Sequence, residues 1–198
     1  MKYIKLFLDH FKNTPVFSFR DVQKFLKYNN STAAYARIFI SAMIANGRVN
    51  RVTKGFYSLY TDIEVVGFPF YPFYYGLGFA LSYHALWKQQ SNPHVITTNN
   101  VRVGTRTALN SNFIVSRIPK NMFFGYAYVK GQRFFYPVSD IEKTLIDTLY
   151  YRFNLEDYVY ENIFRKLDTK KMKKYLKLCD ERIRTEYQKL EKRYEFGD

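Results

Sequence analysis

Two groups of residues carry side chains at spacings that can do chemistry. The first lies between residues 30 and 54: Asn30, Ser31, Thr32, Tyr35 and Arg37, then Arg48, Arg51 and Lys54. Hydroxyls, an amide and a guanidinium crowded together can read base edges, and spaced cations suit phosphates. The second group is Asp140, Glu142 and Asp147. Clustered carboxylates can hold a catalytic metal ion. At helical spacing Asp140 and Asp147 share a face, but Asp140 and Glu142 point apart. Glu142 also lies three residues after Ser139, as the second half of a capping box would. The three His and one Cys lack metal-ligand spacing, and neither a Gly-x-x-x-x-Gly-Lys loop nor a Gly-x-Ser-x-Gly elbow occurs. His84, alone on a mostly apolar helix, reads as a hydrogen-bonded core histidine. The sequence therefore predicts no catalytic residue, no metal and no cofactor.

The first group must be positioned by the elements that carry it. Ser18 and Asp21 form a capping box that opens a short helix with Val22, Phe25 and Leu26 on one face. Tyr28-Asn29-Asn30-Ser31 breaks it. A second helix is expected from about Thr32 to Ala45, burying Ala36, Phe39, Ile40 and Met43, and Asn46-Gly47 ends it. Val49 and Val52, then Phe56 to Leu59, alternate around Thr53-Lys54-Gly55 as a two-stranded hairpin with a basic tip. Before these, residues 2–12 form a helix with Ile4, Phe7, Leu8 and Phe11 inward. Two helices joined by a tight turn and followed by a basic hairpin make a winged helix-turn-helix, whose second helix offers its N-terminal end to the DNA major groove. Two alternatives stand beside this: a winged helix used only for protein contacts, or Tyr35 and Arg37 packing on the first helix or pairing with Asp21.

The net charge of the 198 residues is +14. Residues 1–59 hold 10 Lys and Arg against 2 acids, residues 60–153 hold 9 against 5, and residues 154–198 hold 12 against 10. The excess is densest where the DNA-reading elements are expected, as a polyanion-binding surface requires. Aromatics make up 20 %, enough for wide packed surfaces. One Cys fits a reducing compartment, Met1 to Phe11 has no signal-peptide pattern, and no apolar run nears the roughly 20 residues that span a bilayer. The expectation is a cytoplasmic protein with no membrane partner.

Tyr60 to Pro72 reads as a boundary. Beyond it come a helix from about Gly76 to Trp87 and candidate strands His94–Thr98, Val101–Val103 and Phe113–Ile118. Phe123–Val129 and Arg133–Val138 pair across Lys130-Gly131-Gln132. Ser139 is expected to cap a helix burying Ile141, Leu145, Ile146 and Leu149. Residues 155–167 form a helix, and Thr169 caps a long one reaching about Tyr194. Met172, Leu176, Cys179, Ile183, Tyr187, Leu190 and Tyr194 form a narrow stripe on it. That stripe either packs on the chain's own core or pairs two copies as a homodimer. The five lysines from Lys170 to Lys177 read as a solvated face. The fold class is α+β: an N-terminal winged helix-turn-helix over 1–60, a mixed α/β domain over 73–153 and C-terminal helices over 154–198.

A hairpin strand Gly55-Phe56-Tyr57-Ser58-Leu59, a helix with Ala80-Leu81-Ser82-Tyr83-His84 and a helix Ser139 to Asp147 with Glu142-Lys143-Thr144-Leu145 follow in this order. In this the chain resembles the AbiEi antitoxins, transcriptional regulators linked to viral-defence systems, over roughly residues 18 to 150. The resemblance implies a toxin-antitoxin system. The N-terminal domain would bind double-stranded operator DNA and repress its own operon, the larger domain would oppose a nucleotidyltransferase toxin, and the chain would have no enzymatic activity. The reading set against it is a metal-dependent nuclease with a winged-helix targeting domain, or a protein-interaction module.

Overall fold

The computed structural model describes residues 3–194. Residues 1–2 and 195–198 lie outside the described residues, and with them the first residue of the helix expected from residue 2. The chain divides into two compact units, residues 1–71 with 106–112, and residues 72–105 with 113–198. Both helices and sheets are present, a mixed α+β architecture.

In the first unit α1 (Ile4–Phe11) is followed by β1 (Phe17–Ser18), α2 (Phe19–Tyr28), α3 (Ala36–Ala45), β2 (Asn50–Thr53) and β3 (Phe56–Ser58). Ser18 caps α2: its hydroxyl accepts the Asp21 N–H, and the Asp21 carboxylate accepts the Ser18 N–H at 2.9 Å. The hairpin gains a strand that alternation could not reveal, because β1 is only two residues long. The antiparallel order is β1-β3-β2, with Phe17 opposite Tyr57. The first turn of the expected Thr32–Ala45 helix is a 3₁₀ turn over Ala33–Tyr35, and the α-helix begins at Ala36. The core is aromatic. The Phe7 ring meets those of Phe11, Phe17, Phe25 and Phe39 at centroid distances from 4.8 to 5.4 Å, so one side chain ties α1, β1, α2 and α3 together.

The elements that follow are β4 (Phe73–Tyr75), α4 (Leu77–Tyr83), β5 (His94–Thr97), β6 (Gly104–Ala108), β7 (Ser111–Arg117), β8 (Tyr126–Lys130), β9 (Phe135–Ser139), α5 (Ile141–Tyr151), α6 (Asp157–Lys166), α7 (Thr169–Leu176) and α8 (Glu181–Tyr194); all belong to the second unit except residues 106–112, which take in most of β6 and the start of β7 and group with the first. The mixed sheet has the order β6-β7-β5-β4-β9-β8. β4 pairs antiparallel to β5 and parallel to β9, and β5 parallel to β7. β4 lies inside a fully buried aromatic run, where no polar residue alternates, so periodicity gave no sign of it. Val101–Val103 is not a strand; pairing begins at Gly104. Helix α4 ends at Tyr83, four residues short of Trp87.

α5 is buried almost all round, not along one stripe. Glu142, Lys143, Thr144, Asp147 and Thr148 are buried together with Leu145, Ile146 and Leu149. The cap is Asp140, whose carboxylate accepts the Lys143 N–H at 2.8 Å, while Ser139 is the last residue of β9. Glu142 closes no capping box. Its carboxylate accepts the Asp168 N–H at 2.8 Å and pairs with Lys171 at 3.0 Å, and Lys171 also reaches Asp140 at 2.9 Å. Tertiary packing thus brings to one ammonium the two carboxylates that helical spacing separates. Lys143 and Asp147 form an ion pair with neither side chain exposed to solvent. The Tyr74 hydroxyl donates to Asp147 at 2.9 Å, and the Lys143 ammonium lies 5.0 Å from the centroid of the Phe124 ring. Burial pushes the Asp147 carboxyl above the usual carboxylate range; the Lys143 charge and its hydrogen bond pull the other way.

The expected long C-terminal helix is two. Asp168, not Thr169, caps α7, and the chain breaks before α8, where Asp180 accepts the Ile183 N–H at 2.9 Å. Of the two readings of the C-terminal stripe, packing on the chain's own core is the one seen. Met172, Cys179, Ile183 and Tyr187 are buried in the core of their own unit, Leu176 and Leu190 pack against it, and Tyr194 stacks on Tyr160. Helix α8 packs this stripe against α5 and α6. Among the described residues no helix is long and apolar enough to cross a membrane.

Asp147→Asn strands the Lys143 charge in the core and should cost about 3–5 kcal/mol of stability. Adding Lys143→Met should restore most of it, because Asn still accepts from Tyr74 and no charge is left. Denaturant unfolding of the single and double variants measures both. A pH dependence follows from His94, buried on β5 with its Nε2 2.8 Å from Ser116 Oγ. Desolvation lowers its pKa from 6.5 to about 4. Between these values the unfolded chain binds a proton that the native one refuses, so stability is lost as pH falls through this window, by roughly 3 kcal/mol. His94→Gln should flatten that part of a stability–pH curve.

Candidate functional site

The cationic residues singled out from the sequence in the first unit do not all converge. Arg37 on α3, Arg51 on β2 and Lys54 at the hairpin tip line one open groove of about 340 Å³. Its apolar floor includes Phe19, Ile40, Ile44 and Tyr57. Ile40 and Tyr57 belong to the buried core, so α3 and the hairpin hold the three cations against a packed base. Arg37 is placed by α3, where Ala36, Phe39 and Ile40 turn inward and leave Arg37 outside. Lys54 and Gly55 form the tight turn; Gly55 adopts φ 78°, a left-handed conformation that costs other residues strain. Arg48 is exposed just past α3 and lies off the groove lining.

Arg37, Arg48, Arg51 and Lys54 are all exposed, and none makes an ion pair or side-chain hydrogen bond with another described residue. The expected alternative partner of Arg37, Asp21, pairs instead with Lys24 at 4.0 Å and closes the α2 cap. Unpaired like charges around one groove repel one another and are relieved by an anion.

The polar residues sit differently. Asn30 and Ser31 belong to the end of α2: Asn30 takes φ 59°, and the Ser31 N–H donates to the Leu26 carbonyl at 2.9 Å. The Thr32 hydroxyl accepts the Tyr35 N–H at 3.3 Å and so serves as the cap of the 3₁₀ turn. Tyr35 is half-buried against the core, its ring 6.1 Å from that of Phe39 on α3. Two α3 residues were passed over. Ser41, one helical turn beyond Arg37, lines the groove, and Ile38 is 65 % exposed on a helix with no core contact to explain it. The i, i+4 spacing from Arg37 was the available signal for Ser41.

Among the described residues no group of three or more His, Cys, Asp or Glu is placed to hold a metal ion. Asp140, Glu142 and Asp147 are engaged by Lys171 and Lys143. His84 Nε2 lies 2.7 Å from the Ser139 carbonyl oxygen, and burial pushes the Cys179 thiol up to about 11, away from nucleophilic use. No protein-family model matches the chain, and no curated protein matches it.

Exposed and unpaired, the groove cations should be dispensable for folding. Arg37→Ala, Arg51→Ala and Lys54→Ala should each change stability by no more than about 0.5 kcal/mol. Phe7→Ala should cost about 3–5 kcal/mol. Thermal melts followed by circular dichroism compare them, and a large loss in Arg37→Ala would return that residue to a packing role.

Proposed function

We propose that the first unit is a winged helix-turn-helix that binds double-stranded DNA, and that the chain is a transcriptional regulator. The observation that carries this reading is the groove on which Arg37, Arg51 and Lys54 meet without acidic partners. The order α1-β1-α2-α3-β2-β3, with the strands paired β1-β3-β2, supports it. In such a domain α3 enters the major groove and the β2–β3 hairpin lies along the backbone. Arg37 then reaches base edges, Ser41 and Ile38 lie beside it on α3, and Arg51, Lys54 and Arg48 hold phosphates. Ile38 offers an apolar contact of the kind a thymine methyl accepts.

The resemblance to AbiEi antitoxins extends the proposal. The regulator represses its own operon in the cytoplasm, has no catalytic activity, and its second unit opposes a nucleotidyltransferase toxin encoded beside it. Growth rescue on co-expression with such a neighbour tests that part separately from DNA binding.

Titrating the chain's own promoter at several salt concentrations tests the DNA reading. Log affinity should fall against log salt with a slope of about 0.9 per phosphate contacted, and a flat dependence refutes it. Lys54→Ala should weaken promoter and random DNA alike and reduce the slope by about 1. Arg37→Ala should weaken promoter binding by roughly 1–3 kcal/mol and barely touch random DNA.

A further inference from the structure

The second unit contains a cavity of about 390 Å³ where α5 ends and α6 and α8 pass. This is within the size range of small-molecule sites. We propose that it binds a small organic phosphate carrying a flat ring, of mononucleotide size. The inference does not depend on the DNA-binding reading, which concerns the other unit.

Arg152 is the first reason. It lines the cavity at the C-cap of α5 with φ 52°, a left-handed conformation that Gly or Asn usually fills. An arginine there is strained by its own Cβ. The backbone bonds of the cap, from the Arg152 N–H to the Leu149 carbonyl and from the Phe153 N–H to the Thr148 carbonyl, call for the conformation but not for an arginine, whose exposed guanidinium makes no ion pair or hydrogen bond with another described residue. A strained residue whose side chain has no structural task points to a functional one.

The rest of the lining is complementary to such a ligand and fixed in advance. Arg182 is anchored by donating to the Leu149 and Tyr150 carbonyls at 3.0 and 3.3 Å. With Arg152 it outweighs Glu186, the single acid on the lining, so the cavity is net cationic. Guanidinium groups bind phosphate oxygens in pairs. The apolar wall includes Phe153 and Tyr160, and both rings are already held. Phe153 meets Trp87 edge-on at 6.3 Å, and Tyr160 stacks on Tyr194 at 5.5 Å. A flat ring laid on these walls orders little that is not already ordered. Asn154 and Glu186 supply the hydrogen-bonding groups that amino or hydroxyl substituents need. The same chemistry is offered by a free nucleotide and by the 5′-phosphorylated end of a strand.

Isothermal titration of the full chain tests this, with AMP, GMP, CMP and UMP, with adenosine and inorganic phosphate, and with a short single strand bearing or lacking a 5′-phosphate. At least one mononucleotide should bind, and adenosine and inorganic phosphate should bind about tenfold or more weakly, since each offers half of the ligand. Arg152→Gly should lose about tenfold or more in affinity while melting no lower than the parent, because Gly suits this φ. Arg152→Lys should fall between them. A 5′-phosphorylated strand that binds more tightly than the free nucleotides assigns the site to strand ends; equal or weaker binding assigns it to free nucleotides. The proposal is overturned if no mononucleotide binds at millimolar concentration, if inorganic phosphate binds equally well, or if Arg152→Gly retains full affinity.

Discussion

The second unit depends on one ion pair. Lys143 and Asp147 lie one turn apart on α5 with no solvent contact, and taking two charges out of water is costly unless each is fully met. The surroundings meet them. Tyr74 reaches in from β4, the Phe124 ring lies near the ammonium, and Gly125 and Gly76 let the backbone approach. A Cβ on Gly125 would come within 2.7 Å of the Lys143 Cβ, and one on Gly76 within 2.6 Å of the Ile96 Cδ1 and 3.5 Å of an Asp147 oxygen. The remaining polar groups of α5 are answered from farther along the chain. Lys171 on α7 bridges Asp140 and Glu142, and Arg182 on α8 caps the last carbonyls of the helix. α7 and α8 are therefore parts of this core. An ion pair of this kind contributes little net stability, but misplacing either partner is expensive, which favours a single register for α5.

The first unit uses the opposite arrangement. Its interior is held by rings clustered around Phe7, and its charges stay outside. Because apolar packing needs no help from Arg37, Arg51 or Lys54, those residues are left to face a groove with no acid among its lining residues. A surface that gains nothing in stability from its own charges is suited to gain from a polyanion, and this separation of packing from charge underlies the proposed function.

The two candidate sites share a physical logic. In each, an apolar wall belongs to the core and is rigid before anything binds, and arginines without acidic partners stand over it. The groove is shallow and open, as a duplex backbone and groove edge require. The cavity at the end of α5 has room for one small molecule. Rigid walls reduce the ordering cost of binding in both.

Local chemistry determined much of this chain by itself. The Ser18–Asp21 box, the Gly47 and Gly55 turns and the inward residues of α2 and α3 were legible because caps, left-handed turns and 3.6-residue periodicity act within a few neighbours. The density of positive charge before residue 60 was legible for the same reason. Only tertiary structure decided what lies beyond that range. It decided that Arg37, Arg51 and Lys54 share a groove while Arg48 does not, and that Asn30, Ser31 and Thr32 close helix ends. It also turned the C-terminal stripe inward and made Glu142 a partner of α7. Each of these rests on contacts between residues far apart in the chain, whose energies no local pattern encodes. A short paired strand such as β1, or a buried run such as β4, carries no alternation to announce it. A buried charge such as Lys143 reads in sequence as a surface residue until its partners are in place.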